Sequence, residues 1–374
     1  MKTKIFTNID EVPVDTWEAL VQGHSCSHSR ALWELVETSG LNDFHHRYVL
    51  VCDDAEEPVA FAGFYAITTD VAIFAPPVLR GLLAKVRLVF PHFLKFRMLE
   101  CGTPILVSSP PFAASDQRMN DQVVAALAKM LQEIARVKGH LIIVMRDFEP
   151  PAAALRRDLE RLGYHWVGSL PNTYLDIRWR TPEEYVAALT SYYRSKLLKH
   201  LRRNREQQVR HELRDDFADL ADTLCRQWLV VHEQADEFQR EVLNPTFYRE
   251  FSRRLGERSK VLLFYRGDEL VGHALLLLDG DLLRWLYFGR NHAVNDGLYI
   301  YVGYAVIETA IRLGARRLEL GLTTYSIKQD LGATVTPISL ALYSPWRLLN
   351  PLVGRIYALL NRPPRLANRR VFKV

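Results

Sequence analysis

The chain has 374 residues, 48 Lys and Arg against 43 Asp and Glu for a net charge of +5, and 48% hydrophobic residues. That length exceeds one ordinary core and points to two domains or a duplicated unit. The composition excludes a disordered chain, and the small net charge excludes a polycation whose overall charge sets its partners.

In chain order, "KIFTNI" reads as a strand, and "VPVDTWEALVQG" and "SRALWELVETSG" as short helices each closed by glycine. "HRYVLVCDDAEEPVAFAGFYAITTDVAIFA" reads as two or three strands with an acidic turn at Asp53–Glu57. The segment 76–112 mixes apolar residues with Arg80, Lys85, Arg87, Lys95 and Arg97. It reads as a helical hairpin packed on the domain with its basic residues outward, or as a flap or membrane-facing surface. "DQVVAALAKMLQEIARVKG" has helical spacing and runs into the buried-strand pattern "HLIIVMRD", then the helix "PAAALRRDLERLG".

The second half repeats this grammar. "KVLLFYRGDELVGHALLLLDGDLLRWLYFG" reads as three strands joined by tight turns at Arg266–Glu269 and Asp279–Asp281. "LYIYVGYAVIETAIRLG" is a helix and "ARRLELGLT" the strand after it. The halves align as "CDDAEEPVAFAGFYAI" with "YRGDELVGHALLLL", and as "VVAALAKMLQEIARVKGHLIIVMRD" with "VGYAVIETAIRLGARRLELGLTT". An internal duplication of mixed α/β units follows, its register shifted by an insertion in the first half.

Four scattered cysteines without a CxxC argue for a reducing compartment rather than a disulfide framework. "HSCSH" (His24, Cys26, His28) lacks zinc spacing and a second ligand pair, so no metal is expected. The N-terminus has no apolar signal core, and no window approaches the ~18–20 apolar residues of a membrane span. A cytoplasmic protein is expected, with peripheral contact at the inner membrane face suggested by 76–112 and by the apolar, basic C-terminus "RLLNPLVGRIYALLNRPPRLANRR". GxSxG, GxxxxGK[ST] and GxGxxG are absent, which removes the usual anchors for hydrolase, NTPase and Rossmann readings.

"SYYRSKLLKHLRRNREQQVR", Ser191 to Arg210, holds seven Arg and Lys side chains against Glu206. Helical spacing gives it an inward stripe of Tyr193, Leu197, Leu201 and Asn204. Lys196, Lys199 and Arg203 flank that stripe on one side, and Arg194, Arg202 and Arg205 on the other. The helix therefore docks while its basic flanks meet water or anions, since few i,i+4 partners balance them.

The order strand–turn–strand–strand–helix–strand in each half resembles the GNAT acyltransferase fold. "RSKLLKHLRRN" resembles the basic helix of the CelD-like and Fem-type (FemAB-like) branch. "LYIYVGYAVIETAIRLGARRLELGLTTYSIKQDLGA" resembles that branch's segment of helix, glycine, strand, glycine, then Tyr-x-x-Lys-x-x-x-Gly. The matching residues are Gly314, Gly321, Tyr325, Lys328 and Gly332. The likeness covers about 185–338, while the first half fits by fold order and by the repeat.

The resemblance implies an α/β (α+β) fold of two tandem GNAT-like domains, each a mixed, mostly antiparallel sheet flanked by helices. Their expected bounds are 1–170 with a helical insertion near 76–112, and 171–345 for the catalytic domain, followed by a basic apolar tail at 346–374. It implies an N-acyl- or aminoacyltransferase acting on an amine of a small-molecule or glycan-precursor acceptor. The second half would hold the chemistry and the first would help to wall the cleft. The acyl donor is a cosubstrate rather than a bound cofactor. CoA-dependent members hold pyrophosphate on an Arg/Gln-x-x-Gly-x-Gly/Ala loop at a helix N-terminus. The corresponding "RNHAVNDGLYIY" has Arg290 and a single Gly297, so acyl-CoA, acyl carrier protein and aminoacyl-tRNA all remain donors to consider.

Acyl transfer to an amine needs a neutral nucleophile, a destination for its proton and stabilisation of the oxyanion. The resemblance gives Lys328 the oxyanion role, beside the bland reading of an exposed loop lysine. Tyr325 is placed to protonate a leaving group or orient the acyl carbonyl, and otherwise is a half-buried tyrosine. His273, in an apolar strand, reads as a base or a hydrogen-bonded core histidine. Asp296, in the loop before a helix, could act through a water. Arg194, Lys196, Lys199, Arg202, Arg203 and Arg290 are the candidate donor and phosphate ligands. Glu233, Asp236, Glu237 and Tyr287 are the candidate acceptor ligands. Two other classes compete with this reading: a nucleic-acid-binding protein using Ser191–Arg210, and a degenerate GNAT fold serving as a scaffold at a membrane.

Overall fold

The computed structural model describes residues 1–70, 77–234, 241–292, 294, 296–361, 364, 366–367 and 369–373. The chain divides into two units, the first Met1–Leu170 with Pro337–Pro363 and the second Pro171–Thr336 with Pro364–Val374. This differs from the expected bounds, because residues from Pro337 onward return to the first unit and only the last segment rejoins the second.

The first unit begins with β1 (Lys2–Phe6), α1 (Val14–Val21), α2 (Arg30–Ser39), β2 (His45–Cys52) and β3 (Pro58–Asp70). It continues with α3 (Pro77–Arg87), β4 (Lys95–Cys101), β5 (Ala113–Ala114), α4 (Asn120–Lys138), β6 (Ile142–Phe148), α5 (Arg156–Arg161) and β7 (His165–Gly168). The second unit opens with β8 (Asn172–Asp176), α6 (Pro182–Ala188), α7 (Ser191–Glu206), β9 (Val209–Arg214), α8 (Ala221–His232) and α9 (Pro245–Leu255). Then come β10 (Ser259–Arg266), β11 (Glu269–Asp279), β12 (Leu282–Arg290), α10 (Leu298–Arg312), β13 (Arg317–Glu319), α11 (Tyr325–Asp330) and β14 (Thr334–Thr336). β15 (Ser339–Tyr343) and α12 (Asn350–Leu360) belong to the first unit again.

Each unit is built on one sheet. The first runs β1-β2-β3-β4-β6-β15-β7 with β5 on β3, and the second β14-β8-β13-β12-β11-β10-β9. All named pairs are antiparallel except β4 with β6 and β12 with β13. The parallel pairs occupy matching places, each reached through a crossover helix, α4 or α10. Apolar residues of α4, including Val124, Leu127 and Leu131, cover one face of the first sheet, while α1 and α2 cover the other over β2 and β3. In the second unit, α7 and α10 pack on one face through Leu197, Val302 and Val306.

The segment 76–112 is not a helical hairpin. After α3, Lys95–Cys101 form β4, a strand inside the sheet that pairs with both β3 and β6. Met98, Leu99 and Cys101 are buried, and the charged Lys95, Arg97 and Glu100 among them masked the strand in the sequence. Described parts of the expected tail pack on both units. Val353 of α12 packs with Met98 and Val144 in the first unit, and Phe372 of the second unit stacks near Trp179 and Tyr185. The four cysteines are buried free thiols.

Candidate active site

The second unit's parallel pair is short. β12 and β13 are in register only from Leu282 with Arg317 to Arg284 with Glu319, and β12 then continues alone on that side from Trp285 to Arg290. On its other side, the register with β11 passes from Leu275 opposite Tyr287 to Leu276 opposite Trp285, so Leu286 is an extra residue. Such a bulge bends and twists its strand. The indole of Trp285 donates to the Tyr287 carbonyl (3.2 Å) and braces the bend. The two parallel strands thus part at their C-terminal ends, and β12 has no strand partner on that side beyond Arg284 among the described residues.

Across the opening, β13 leads into a contorted turn. Gly321, Thr323 and Thr324 all have positive φ (74°, 61° and 48°), two of them without glycine's freedom. Strain of this kind persists only where surroundings over-determine it. Lys328 of α11 supplies the restraint, donating from Nζ to the Gly321 carbonyl (3.1 Å) and the Leu322 carbonyl (2.5 Å). Thr173 Oγ1 adds a hydrogen bond to the Gly321 carbonyl at 2.6 Å. Lys328 is only 3% exposed, and burial lowers its pKa to about 7 against the opposing pull of Glu319. Lys328, read from sequence as an oxyanion ligand or an exposed loop lysine, is thus a buried amine at the end of the splayed strands. Tyr325 is also buried, and its hydroxyl donates to the Pro171 carbonyl (2.9 Å).

Beneath the turn lies a charged network that sequence inspection missed. Arg284 pairs with Glu319 and, at 2.9 Å, with Asp279; Asn172 Nδ2 donates to Glu319 (2.9 Å) and to the Tyr174 hydroxyl (2.9 Å). Arg284 and Glu319 are both buried in the sheet. The sequence signal was faint: Arg284 interrupts the apolar run of β12, and only Leu318 separates Glu319 from Arg317.

At the N-terminus of α10, Asp296 Oδ1 accepts from the Leu298 backbone amide (3.1 Å) and from Arg290 (2.9 Å), while Oδ2 meets Arg266 (3.2 Å). Burial raises the Asp296 pKa, but these donors outweigh it and hold it below the usual range. Asp296, just before the N-cap Gly297, thus takes the first amide of α10, and Arg290 spends its Nη2 on it. Gly297 is equally committed, since a Cβ there would come within 2.8 Å of His200 Nδ1. The place where GNAT relatives were expected to hold pyrophosphate already contains a carboxylate and a histidine ring.

The basic helix α7 buries Leu197 and Asn204 and half-buries Tyr193 and Leu201, the expected inward stripe. Lys196 pairs with Asp330 of α11 at 2.6 Å, close in sequence to Lys328. Among the described residues, Arg194, Lys199, Arg202 and Arg203 have no carboxylate partner, and the last three are exposed.

Of the proposed acceptor ligands, Asp236 and Glu237 lie outside the described residues and Glu233 is exposed. Tyr287 donates to Glu241 Oε1 (2.8 Å) and stands edge-on to Trp228 and Phe247, while His232 stacks on Trp228 with centroids 4.4 Å apart. Tyr287 follows directly on the extra residue of the bulge, so this aromatic and acidic cluster adjoins the free edge of β12. His273 does not reach it. Fully buried, it is held between Gln227 (2.9 Å) and the Tyr248 hydroxyl (3.1 Å), and burial drops its pKa to about 3. It is a neutral core histidine.

Residues 191–329, from the first residue of α7 to the one after Lys328, match the family described as Acetyltransferase (GNAT) domain. The chain is 29% identical over 309 residues to a Mycobacterium tuberculosis protein provisionally named 8-amino-7-oxononanoate synthase 2, covering 81% of this chain and 40% of that one. Among solved structures, FemX superposes with TM-score 0.58 at 13% identity over 96% of this chain and 99% of FemX. A tandem GNAT protein from the clavulanic acid biosynthesis pathway gives 0.51 at 11%, over 92% and 99%. The second unit thus contains the segment that matches the GNAT domain family. The chain as a whole has the FemAB-like tandem GNAT fold, and it spans about 40% of the length of the curated relative it matches.

Proposed function

We propose that the protein transfers an acyl or aminoacyl group from an ester or thioester to a primary amine, at the splayed end of β12 and β13. The observation that carries this reading is Lys328, a buried amine whose two hydrogen-bond acceptors leave one position free. As a neutral amine, Lys328 gives its two N–H groups to the Gly321 and Leu322 carbonyls and keeps a lone pair. With its pKa near 7 it can accept a proton at neutral pH. The acceptor nitrogen attacks the acyl carbonyl and its proton passes to Lys328. The tetrahedral adduct then expels the thiolate or alkoxide, which takes a proton back, so an amide forms as the ester or thioester bond breaks. The side of β12 that β13 leaves beyond Arg284 is our choice for the oxyanion site.

The donor's anionic part is assigned to Lys199, Arg202 and Arg203 of the outer face of α7, which have no carboxylate partner among the described residues, rather than to the α10 terminus, where Asp296 takes the first amide. For the acceptor, the cluster of Tyr287, Glu241, Trp228 and His232 offers a neutral amine a hydrogen-bond acceptor in Glu241 beside aromatic faces for a flat or apolar group. The name of the mycobacterial relative specifies a compound with an amine next to a ketone. An α-amino ketone of that class is our choice of acceptor.

The test is to incubate the protein with 8-amino-7-oxononanoate and, separately, acyl-CoA, acylated carrier protein or aminoacyl-tRNA, with amide detected by mass spectrometry. Amide with at least one donor is expected, and absence with all three overturns the proposed transfer to this acceptor. The pH profile separates the two roles of Lys328. A general base gives a rate that rises to a plateau above about pH 7, whereas an ammonium serving the oxyanion gives one that falls there.

A further inference from the structure

One end of the first sheet is apolar, aromatic and basic at once. β4 and β6 run parallel from there, and β15 arrives there antiparallel, with Ile143 opposite Tyr343. Hydrogen bonds lock the three together: Leu141 N donates to the Arg97 carbonyl (3.2 Å) and Ser344 Oγ to the Leu141 carbonyl (2.8 Å). The segment 88–94 enters β4 at this end and 345–349 leaves β15 at it. Both carry large apolar side chains in water: Leu88 is 85% exposed, Leu348 90%, and Val89, Phe90, Phe93 and Trp346 are exposed with them. α12 turns Val353 and Tyr357 to the sheet and leaves Leu352, Ile356 and Leu359 outward, a stripe at i, i+4 and i+7.

The charges around these residues are of one sign. Neither 77–97 nor 337–374 contains an Asp or Glu. Lys85, Lys95, Arg97, Arg347 and Arg355 are exposed there, and Arg136 and Lys138 lie at the neighbouring end of α4. The nearby carboxylates are occupied, Asp70 by Arg87 (2.6 Å) and Asp43 by the Thr68 amide (3.0 Å). Exposed leucines flanked by Trp, Phe and a cationic rim match the surface of an anionic bilayer. Apolar side chains enter the acyl boundary, aromatics settle among the headgroups, and Lys and Arg meet the phosphates.

We infer that this end of the first unit docks on an anionic phospholipid surface. Among the described residues no helix is long and apolar enough to cross a membrane, so the attachment is interfacial and reversible. It is independent of which acyl group the second unit transfers.

The experiment is co-sedimentation of the whole chain with vesicles of phosphatidylcholine plus phosphatidylglycerol, against phosphatidylcholine alone. Binding to the anionic vesicles, weakening as salt rises, is expected. Leu88→Ser with Phe90→Ser and Leu348→Ser removes apolar insertion, and Lys85→Glu with Lys95→Glu reverses two charges. Each set should weaken binding about tenfold or more, with unchanged melting because the residues are exposed. No binding to anionic vesicles at low salt overturns the inference, as does unchanged binding of both variants. Sedimentation velocity adds a third arm. A dimer of the native chain that the serine variant dissolves would show that a second copy covers this face, and would overturn it too.

Discussion

The two units place buried charge at the same point of their sheets and use it differently. In the second unit the parallel pair holds Arg284 on β12 and Glu319 on β13; in the first, Glu100 lies on β4 and Arg146 on β6, the same signs exchanged between strands. Arg284 is matched by Asp279 and Glu319 and leaves Lys328 the buried amine above. Arg146 also faces two acids, but holds one of them more loosely. Asp147 lies 2.8 Å from its Nε, Glu100 3.9 Å from Nη1, and Tyr65 donates to Glu100 (2.9 Å). Burial raises Glu100 and pushes Asp147 up to about 6 although Arg146 draws both down. Duplication preserved a buried ion pair as a structural element, while only the second copy carries a lysine over it.

The largest test of that contrast is on turnover. Lys328→Ala should reduce amide formation by about 10²–10⁴-fold if it is the base, while Asp147→Asn in the first unit should leave it near the native value. A chain equally impaired by both would mean that the first unit takes part in the chemistry. Next is stability. Arg284→Met strands two buried carboxylates and should cost about 3–5 kcal/mol in urea unfolding. Arg146→Met should cost less, because Glu100 and Asp147 are already pushed toward their neutral forms.

A smaller effect is expected on donor affinity. Lys199→Glu with Arg203→Glu should raise the donor KM about tenfold, with the difference shrinking as salt rises. Unchanged KM would remove α7 from donor binding. The smallest effect is the pH dependence of folding, which has opposite sign in the two units. Lys328 has a folded pKa of about 7, below its ordinary 10.5, so the unfolded chain binds more protons between them and stability rises with pH across that window. Asp147 at about 6 against 3.8 makes the folded chain the better proton binder, so stability falls as pH rises through roughly 4 to 6. Lys328→Met and Asp147→Asn should each flatten one slope, of order 1 kcal/mol per pH unit, read from melting temperature.

The repeating grammar of strands and crossover helices was legible because apolar periodicity survives duplication, and the inward stripe of α7 followed from spacing alone. β4 was not, because its outward Lys95 and Arg97 and buried Glu100 break the apolar run. Lys328 was found through a motif, yet its burial could not be read from neighbours that are polar in sequence. His273 and Asp296 show the reverse. Their residue types suggested acid–base work, but His273 is sealed in the core and Asp296 is taken up by Arg290 and the first amide of α10. Whether a titratable group is free depends on partners far along the chain, such as Gln227 for His273, which local pattern does not encode.

The sheet order has a consequence for synthesis. Among the described strands β7 joins its sheet only through β15, which is made after Pro171–Thr336 of the second unit. The first unit therefore waits for its last strand, with β6 and β7 offering open hydrogen-bonding edges until Ser339–Tyr343 arrives. A chain stopped at Leu170 would expose those edges permanently and is expected to aggregate or recruit chaperones. The two units are interleaved along the chain, so the first cannot be completed before Pro171–Thr336 of the second have been translated.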